Sequence, residues 1–179
     1  MIVLPTWAVV TPQRVEHIDR VAALMGSWAM ALGLDSSDAA RWQRAAIFHD
    51  ALKDAGPERL ARYAPQDGWH PKLWHGPAAA AAAAQHGERD PGVLSAVRYH
   101  STGFAGWDGV GDALYLADYL EPGRSDDTAR RAAWATRMPG EIELVLREVA
   151  SHRIGWLVAA GQPLAQETEE FWKRFVAGA

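Results

Sequence analysis

At 179 residues, 49% of them apolar and 22% charged, the chain is long enough for a single domain over 1–179 with a substantial core. It has no cysteine, which removes disulfides, thiolate metal sites and cysteine nucleophiles together. A net charge of -4 without a basic face argues against nucleic acid as a partner, and the apolar stretches are too short to span a bilayer. The opening Met1-Ile2-Val3-Leu4-Pro5 has no basic leader, so no signal peptide is read and a cytoplasmic protein is expected. Val15, Ile18, Val21-Ala22, Met25 and Trp28-Ala29 recur at helical spacing, and Gly33 closes that helix. A second helix begins near the capping residues Asp35-Ser36-Ser37 and carries Trp42, Ala45 and Ala46 into His49-Asp50. Pro57 opens a short helix through Tyr63, and a Pro-, Gly- and Trp-containing loop runs from Ala64 to Trp74. Pro77 marks a helix start, and the alanine run Ala78 to Ala84, ending near Gly87, reads as a close-packed helix. Asp90-Pro91 caps a helix to His100, Gly103 to Gly111 is a loop, and Asp112 to Glu121 is helical. Helices then cover Asp126 to Arg137, halted by Pro139-Gly140, Glu141 to Ala160, and Gln166 to Val176. No strand alternation, internal repeat or linker is evident, and the nine scattered tryptophans read as core and groove packing.

Chemistry enters with His49-Asp50, which ends the apolar run Ala45-Ala46-Ile47-Phe48, with Lys53 three positions on. An imidazole nitrogen and an anionic oxygen at adjacent positions are ligands for borderline and hard divalent metals. Burying them unpaired is costly, and a metal ion is the simplest compensation. His17 adjoins Ile18 one turn before Val21, and His100 shares a face with Val93, Ala96 and Val97. Asp118 lies within the almost wholly apolar Leu114 to Leu120, where a carboxylate needs a partner. A lone histidine on such a face is ordinarily a satisfied core residue. Together, His17, His49, Asp50 and Asp118 offer two imidazoles and two carboxylates from three helices, suited to iron or manganese, and His75 and His100 could complete a second site.

These residues fall within longer motifs. Arg14-Val15-Glu16-His17 and His49-Asp50-Ala51-Leu52-Lys53 come first, then His70-Pro71-Lys72-Leu73-Trp74-His75-Gly76-Pro77. Ala96 to Gly103 and Leu114 to Arg124, the most distinctive stretch, complete the order. The set resembles the HD-domain metal-dependent phosphohydrolases, and within them the YqeK branch. That resemblance implies an all-α HD-domain helical bundle with a metal site between helices. It implies symmetrical hydrolysis of diadenosine tetraphosphate, and of related dinucleoside polyphosphates, to two ADP. It further implies two metal ions, iron with manganese able to substitute, activating water for in-line attack on an inner phosphate. His17, His49, Asp50 and Asp118 would hold one ion, and His75 and His100 the other, with Asp50 bridging. Catalytic roles fall to Asp50 and Lys53, the lysine also meeting phosphate oxygens as a point charge. Arg124 either reaches a phosphate or pins a loop; His70 either lines the cleft or caps a turn, with a nucleoside pocket expected near residues 70–75. Arg14 and Arg98 lie near proposed ligands, while His86 and His152 read as solvent-facing. The glycine-rich Phe104 to Gly111 departs from the family pattern. A homodimer stays open. So do two other readings, an HD-type hydrolase of nucleoside monophosphates or cyclic dinucleotides, and a non-catalytic nucleotide-sensing module.

Overall fold

The computed structural model describes residues 2–64 and 69–176, and among them the regular elements are all helical. Helix α1 spans Pro12–Ala31, with the Thr11 hydroxyl accepting from the Arg14 amide and Pro12 in the first turn. Its buried stripe is His17, Ile18, Val21, Met25 and Trp28, which places a histidine among core positions. The helix leaves through Gly33, whose φ of 64° lets the Leu34 amide reach back to the Ala29 carbonyl at 3.0 Å. Helix α2, Ser36–Phe48, is capped by Asp35 and packs along α1.

Several boundaries differ from the sequence reading. Helix α3, Pro57–Ala61, ends before Tyr63, and a single 3-10 turn, Pro71–Leu73, lies in the expected loop, of which residues 65–68 fall outside the described residues. Helix α4, His75–Gln85, starts two residues ahead of Pro77, because a proline in the first turn forfeits no intrahelical bond. After α5, Pro91–Tyr99, the glycine-rich stretch splits: Asp108 caps α6, Gly109–Leu120, so that its last three residues are helical. Helices α7, Thr128–Arg137, α8, Ile142–Ala159, and α9, Gln166–Val176, follow.

The larger core cluster joins α1, α2, α5, α6 and α8 through Met25, Trp42, Leu114, Leu116, Leu146 and their neighbours. A second cluster packs Trp7, Leu52 and Leu60 against Ala78, Ala79, Ala82 and Ala83 of α4. The alanines let helix axes approach closely, and a Cβ at Gly76 would come within 2.7 Å of the Arg98 carbonyl on α5. Fully buried Phe171 docks α9, its ring meeting those of Trp107 and Tyr115. No described helix is long and apolar enough to cross a membrane.

Candidate metal centre

Six interior polar side chains meet between these helices. His17 comes from the middle of α1, and His49 and Asp50 from the end of α2. His75 is the first residue of α4, His100 the C-cap of α5, and Asp118 lies in the last turn of α6. Asp50 stands at the middle. Its Oδ2 is 3.7 Å from the Nε2 atoms of both His17 and His49, and its Oδ1 is 3.2 Å from His75 Nε2 and 3.4 Å from His100 Nε2. His17 Nε2 also lies 3.2 Å from Asp118 Oδ1. Two donor triads result, His17-His49-Asp50 and Asp50-His75-His100, fully buried and sharing one carboxylate.

Each imidazole is oriented from behind. The Nδ1 atoms of His49, His100 and His75 lie 2.7, 2.7 and 3.0 Å from the carbonyls of Ala46, Val97 and Lys72. His17 Nδ1 is 3.1 Å from Glu121 Oε1. Carbonyls and carboxylates only accept, so each Nδ1–H donates and each Nε2 turns a lone pair inward. Lone pairs then face each other, His17 to His49 at 3.3 Å and His75 to His100 at 3.1 Å. The buried Asp50 Oδ1 has no hydrogen-bond partner among the described groups. Oxygen and imidazole lone pairs converging around an unsatisfied carboxylate oxygen fit divalent cations.

The charge states agree with ligation. Burial pushes the His49 imidazole down to about 4 and also lowers His75, against the pull of Asp50, so both rings are neutral donors. Burial alone would raise Asp50 and Asp118. The histidines around Asp50, and His17 with Arg124 beside Asp118, outweigh it and hold both carboxyls well below their usual range. His17 is the exception: burial lowers it, but the hydrogen bond and charge of Asp118, with Asp50 behind, carry it above its ordinary value.

The family model described as HD domain matches residues 14–123, a span that contains all six donors. The chain belongs to the HD-domain family. HD domains bind divalent metals, and the two triads are where this one assembles its donors. A Bacillus subtilis protein named bis(5'-nucleosyl)-tetraphosphatase, symmetrical, is 27% identical over 153 residues, covering 79% of this chain and 80% of that protein. A Staphylococcus aureus protein of the same name is 30% identical over 91 residues, 49% of this chain and 45% of that one. A crystal structure of a predicted HD superfamily hydrolase involved in NAD metabolism, from Clostridium acetobutylicum, superposes with a TM-score of 0.80 at 22% identity. It covers 95% of this chain and 92% of its own, and shares the fold.

A cavity of about 530 Å³ opens onto the centre of this HD domain. Its inner wall holds Arg14, Asp50, Lys53, His100, Asp118 and Arg124. Lys53 Nζ lies 3.1 Å from His75 Nε2. Arg124 lines the cavity and donates to the Asp118 carbonyl at 2.8 Å and to Asp118 Oδ1 at 2.6 Å. His70 is not brought to the centre. It is exposed, and its Nδ1 accepts from the Lys72 amide at 3.3 Å, capping the 3-10 turn. Arg98 lies over the rings of Trp69 and Tyr99, and exposed His86 packs at a tilt against Trp7.

The cavity touches the 70–75 loop at Lys72 and Leu73, but it extends under α8, where His152, Arg153, Trp156 and Leu157 line it. His152 is therefore half-buried rather than solvent-facing, with Nδ1 2.8 Å from the Tyr119 hydroxyl. Its spacing of three and seven from Val149 and Val145 was the available signal. Sequence reasoning also missed Glu121, buried to 2%, which joins His17 to Arg20 Nε at 2.5 Å. Arg14 meets Asp50 directly, Nη1 to Oδ2 at 2.7 Å.

Proposed function

We infer that this HD domain, one domain over its whole length and acting in the cytoplasm, is a metal-dependent hydrolase of dinucleoside polyphosphates. Its reaction is the symmetrical cleavage of diadenosine tetraphosphate to two ADP. The observation that carries this reading is the pair of buried triads sharing Asp50 at the floor of a cation-lined cavity. Similarity to the Bacillus subtilis tetraphosphatase over most of both chains supports the choice of substrate. His17, His49, Asp50 and Asp118 would hold one ion and His75, His100 and Asp50 the other, iron in the cell with manganese as a substitute. When bound, the ions supply Lewis acidity and a water acidic enough to be a nucleophile near neutral pH.

The remaining work belongs to side chains. Asp50 ties both donor sets into one unit, and Arg14 and Arg124 pair with Asp50 and Asp118 and orient them. Lys53, beside His75, places a compact positive charge where a phosphoryl oxygen would sit. Attack at an inner phosphorus forms a P–O bond to the water oxygen and breaks the bond to the oxygen bridging the two middle phosphates. One ADP leaves as an anion and the other retains the new oxygen on its β-phosphate. Hydrolysis in oxygen-18 water is expected to label the β-phosphate of one ADP per turnover. Label in AMP, with ATP accumulating beside it, would refute the symmetrical assignment.

A further inference from the structure

One wall of the cavity is a face of α8. Val149, His152, Arg153, Trp156 and Leu157 fall at spacings of three, four, seven and eight, which is a single helical stripe. Along it the chemistry changes in order. Val149 is buried in the core, His152 and Arg153 line the cavity, and Trp156 and Leu157 form its apolar mouth. The stripe is tied to the metal centre through Ser101, whose hydroxyl is 3.0 Å from His100 Nε2 and whose carbonyl accepts from Arg153 Nη2 at 3.1 Å.

Two features set the stripe apart from the rest of the cavity. The other cavity arginines face carboxylates: Arg14 pairs with Asp50, Arg124 with Asp118 and Arg131 with Asp126. Arg153 has no carboxylate partner among the described residues; it lies over the rings of Tyr115 and Tyr119, leaving a cation in the cavity without an anion. Trp156, one turn further on, is 64% exposed although it is the largest apolar side chain on its face. A flat aromatic surface one turn beyond an uncompensated guanidinium, in a cavity that begins at a phosphate-suited centre, is complementary to a nucleoside diphosphate. The anionic end would lie toward His100 and the base toward the mouth.

Resting on the hydrolase reading above, we propose that the cavity face of α8 is the nucleoside subsite, with Trp156 the platform for the base and Arg153 the partner of a phosphate between base and metals. Helix α8 lies outside the matched HD span of 14–123, so the metal chemistry and the choice of nucleoside are built from different parts of the chain. His152 is already engaged with Tyr119 and Asp127 and is not a free contact.

The test uses the full-length, manganese-loaded protein, with ADP and inorganic pyrophosphate as calorimetric probes. Trp156→Ala, at a largely exposed position, should weaken ADP binding at least about fivefold, the lower end for losing one base–aromatic stack, and leave pyrophosphate binding unchanged. Trp156→Phe should recover most of the loss. Arg153→Gln should weaken both probes. With diadenosine tetraphosphate, Trp156→Ala should raise KM by a larger factor than it lowers kcat. ADP binding equal in Trp156→Ala and parent, with tetraphosphate hydrolysis intact, would overturn the subsite and leave the hydrolase reading standing. A parent protein without hydrolysis, but with ADP binding that still depends on Trp156, would support the subsite and overturn the hydrolase reading.

Discussion

Glu121→Gln tests whether the orientation of a ligand, and not just its presence, sets metal affinity. The Glu121 carboxylate is 2% exposed and accepts from three donors: His17 Nδ1 at 3.1 Å, Arg20 Nε at 2.5 Å and the Gly123 amide at 2.7 Å. Glutamine has nearly the same volume but a single acceptor oxygen. If that oxygen faces His17, the amide nitrogen is driven against the Arg20 and Gly123 donors. If the amide nitrogen faces His17, it donates to Nδ1, and the ring proton moves to Nε2, the atom that should ligate. Either orientation is worse than the carboxylate. Loss of such an orienting partner lowers metal affinity about 10–100-fold, roughly 1.4–2.7 kcal/mol. The Arg20 pair adds little, because that guanidinium is one-third exposed and screened by water. The donor set containing His75 and His100 is untouched, so the expected signature is selective: one ion held as in the parent, the other weakened. Chelator competition with manganese, with metal content measured at each chelator concentration, reads this directly. Equal retention of both ions, with any lost activity matching the unfolded fraction, would refute the argument that Glu121 sets the His17 tautomer.

Three further outcomes are expected. His100→Gln should lower activity by orders of magnitude while the Tm of metal-free protein barely moves; a large stability loss with normal specific activity of the folded fraction would mark His100 as packing alone. In metal-free protein the His49 imidazole, held near 4 by burial against an ordinary 6.5, stays neutral while the unfolded chain takes up its proton, so this residue's contribution to stability falls as pH drops from 6.5 toward 4. The fall is of order 3 kcal/mol, and urea unfolding across that window should be steeper in pH for the parent than for His49→Gln; parallel profiles would contradict the assignment. Phe171→Ala should cost about 3–5 kcal/mol by opening a cavity beside Trp107 and Tyr115, and a loss under about 1 kcal/mol in urea unfolding would mean that α9 is not docked through this ring.

The helices were legible in the sequence because their causes are local. Asp35 and Asp90-Pro91 cap their own helices, and the Val21, Met25 and Trp28 stripe follows from 3.6 residues per turn. The errors were local as well: the start of α6 moved because Asp108, not Asp112, supplies the cap. His17, His100 and Asp118 stood out as polar groups on apolar faces and His49-Asp50 as a pair ending an apolar run; their ligand chemistry suggested two sites, and the motif resemblance implied the ligand sets.

What surrounds the donors could not be read that way. Glu121 reaches His17 across 104 positions, and Arg153 reaches the Ser101 carbonyl across 52. His70 took the turn-capping role of its two readings, and His152, read as solvent-facing, lies against the cavity. The sequence by itself determined the helical content, several caps and the donor residues that needed a partner inside. Tertiary structure alone decided which partner each received. Periodicity constrains side chains within about a turn of one helix, whereas the meeting of α1 with α6, or of α8 with the loop after α5, depends on how whole faces pack together.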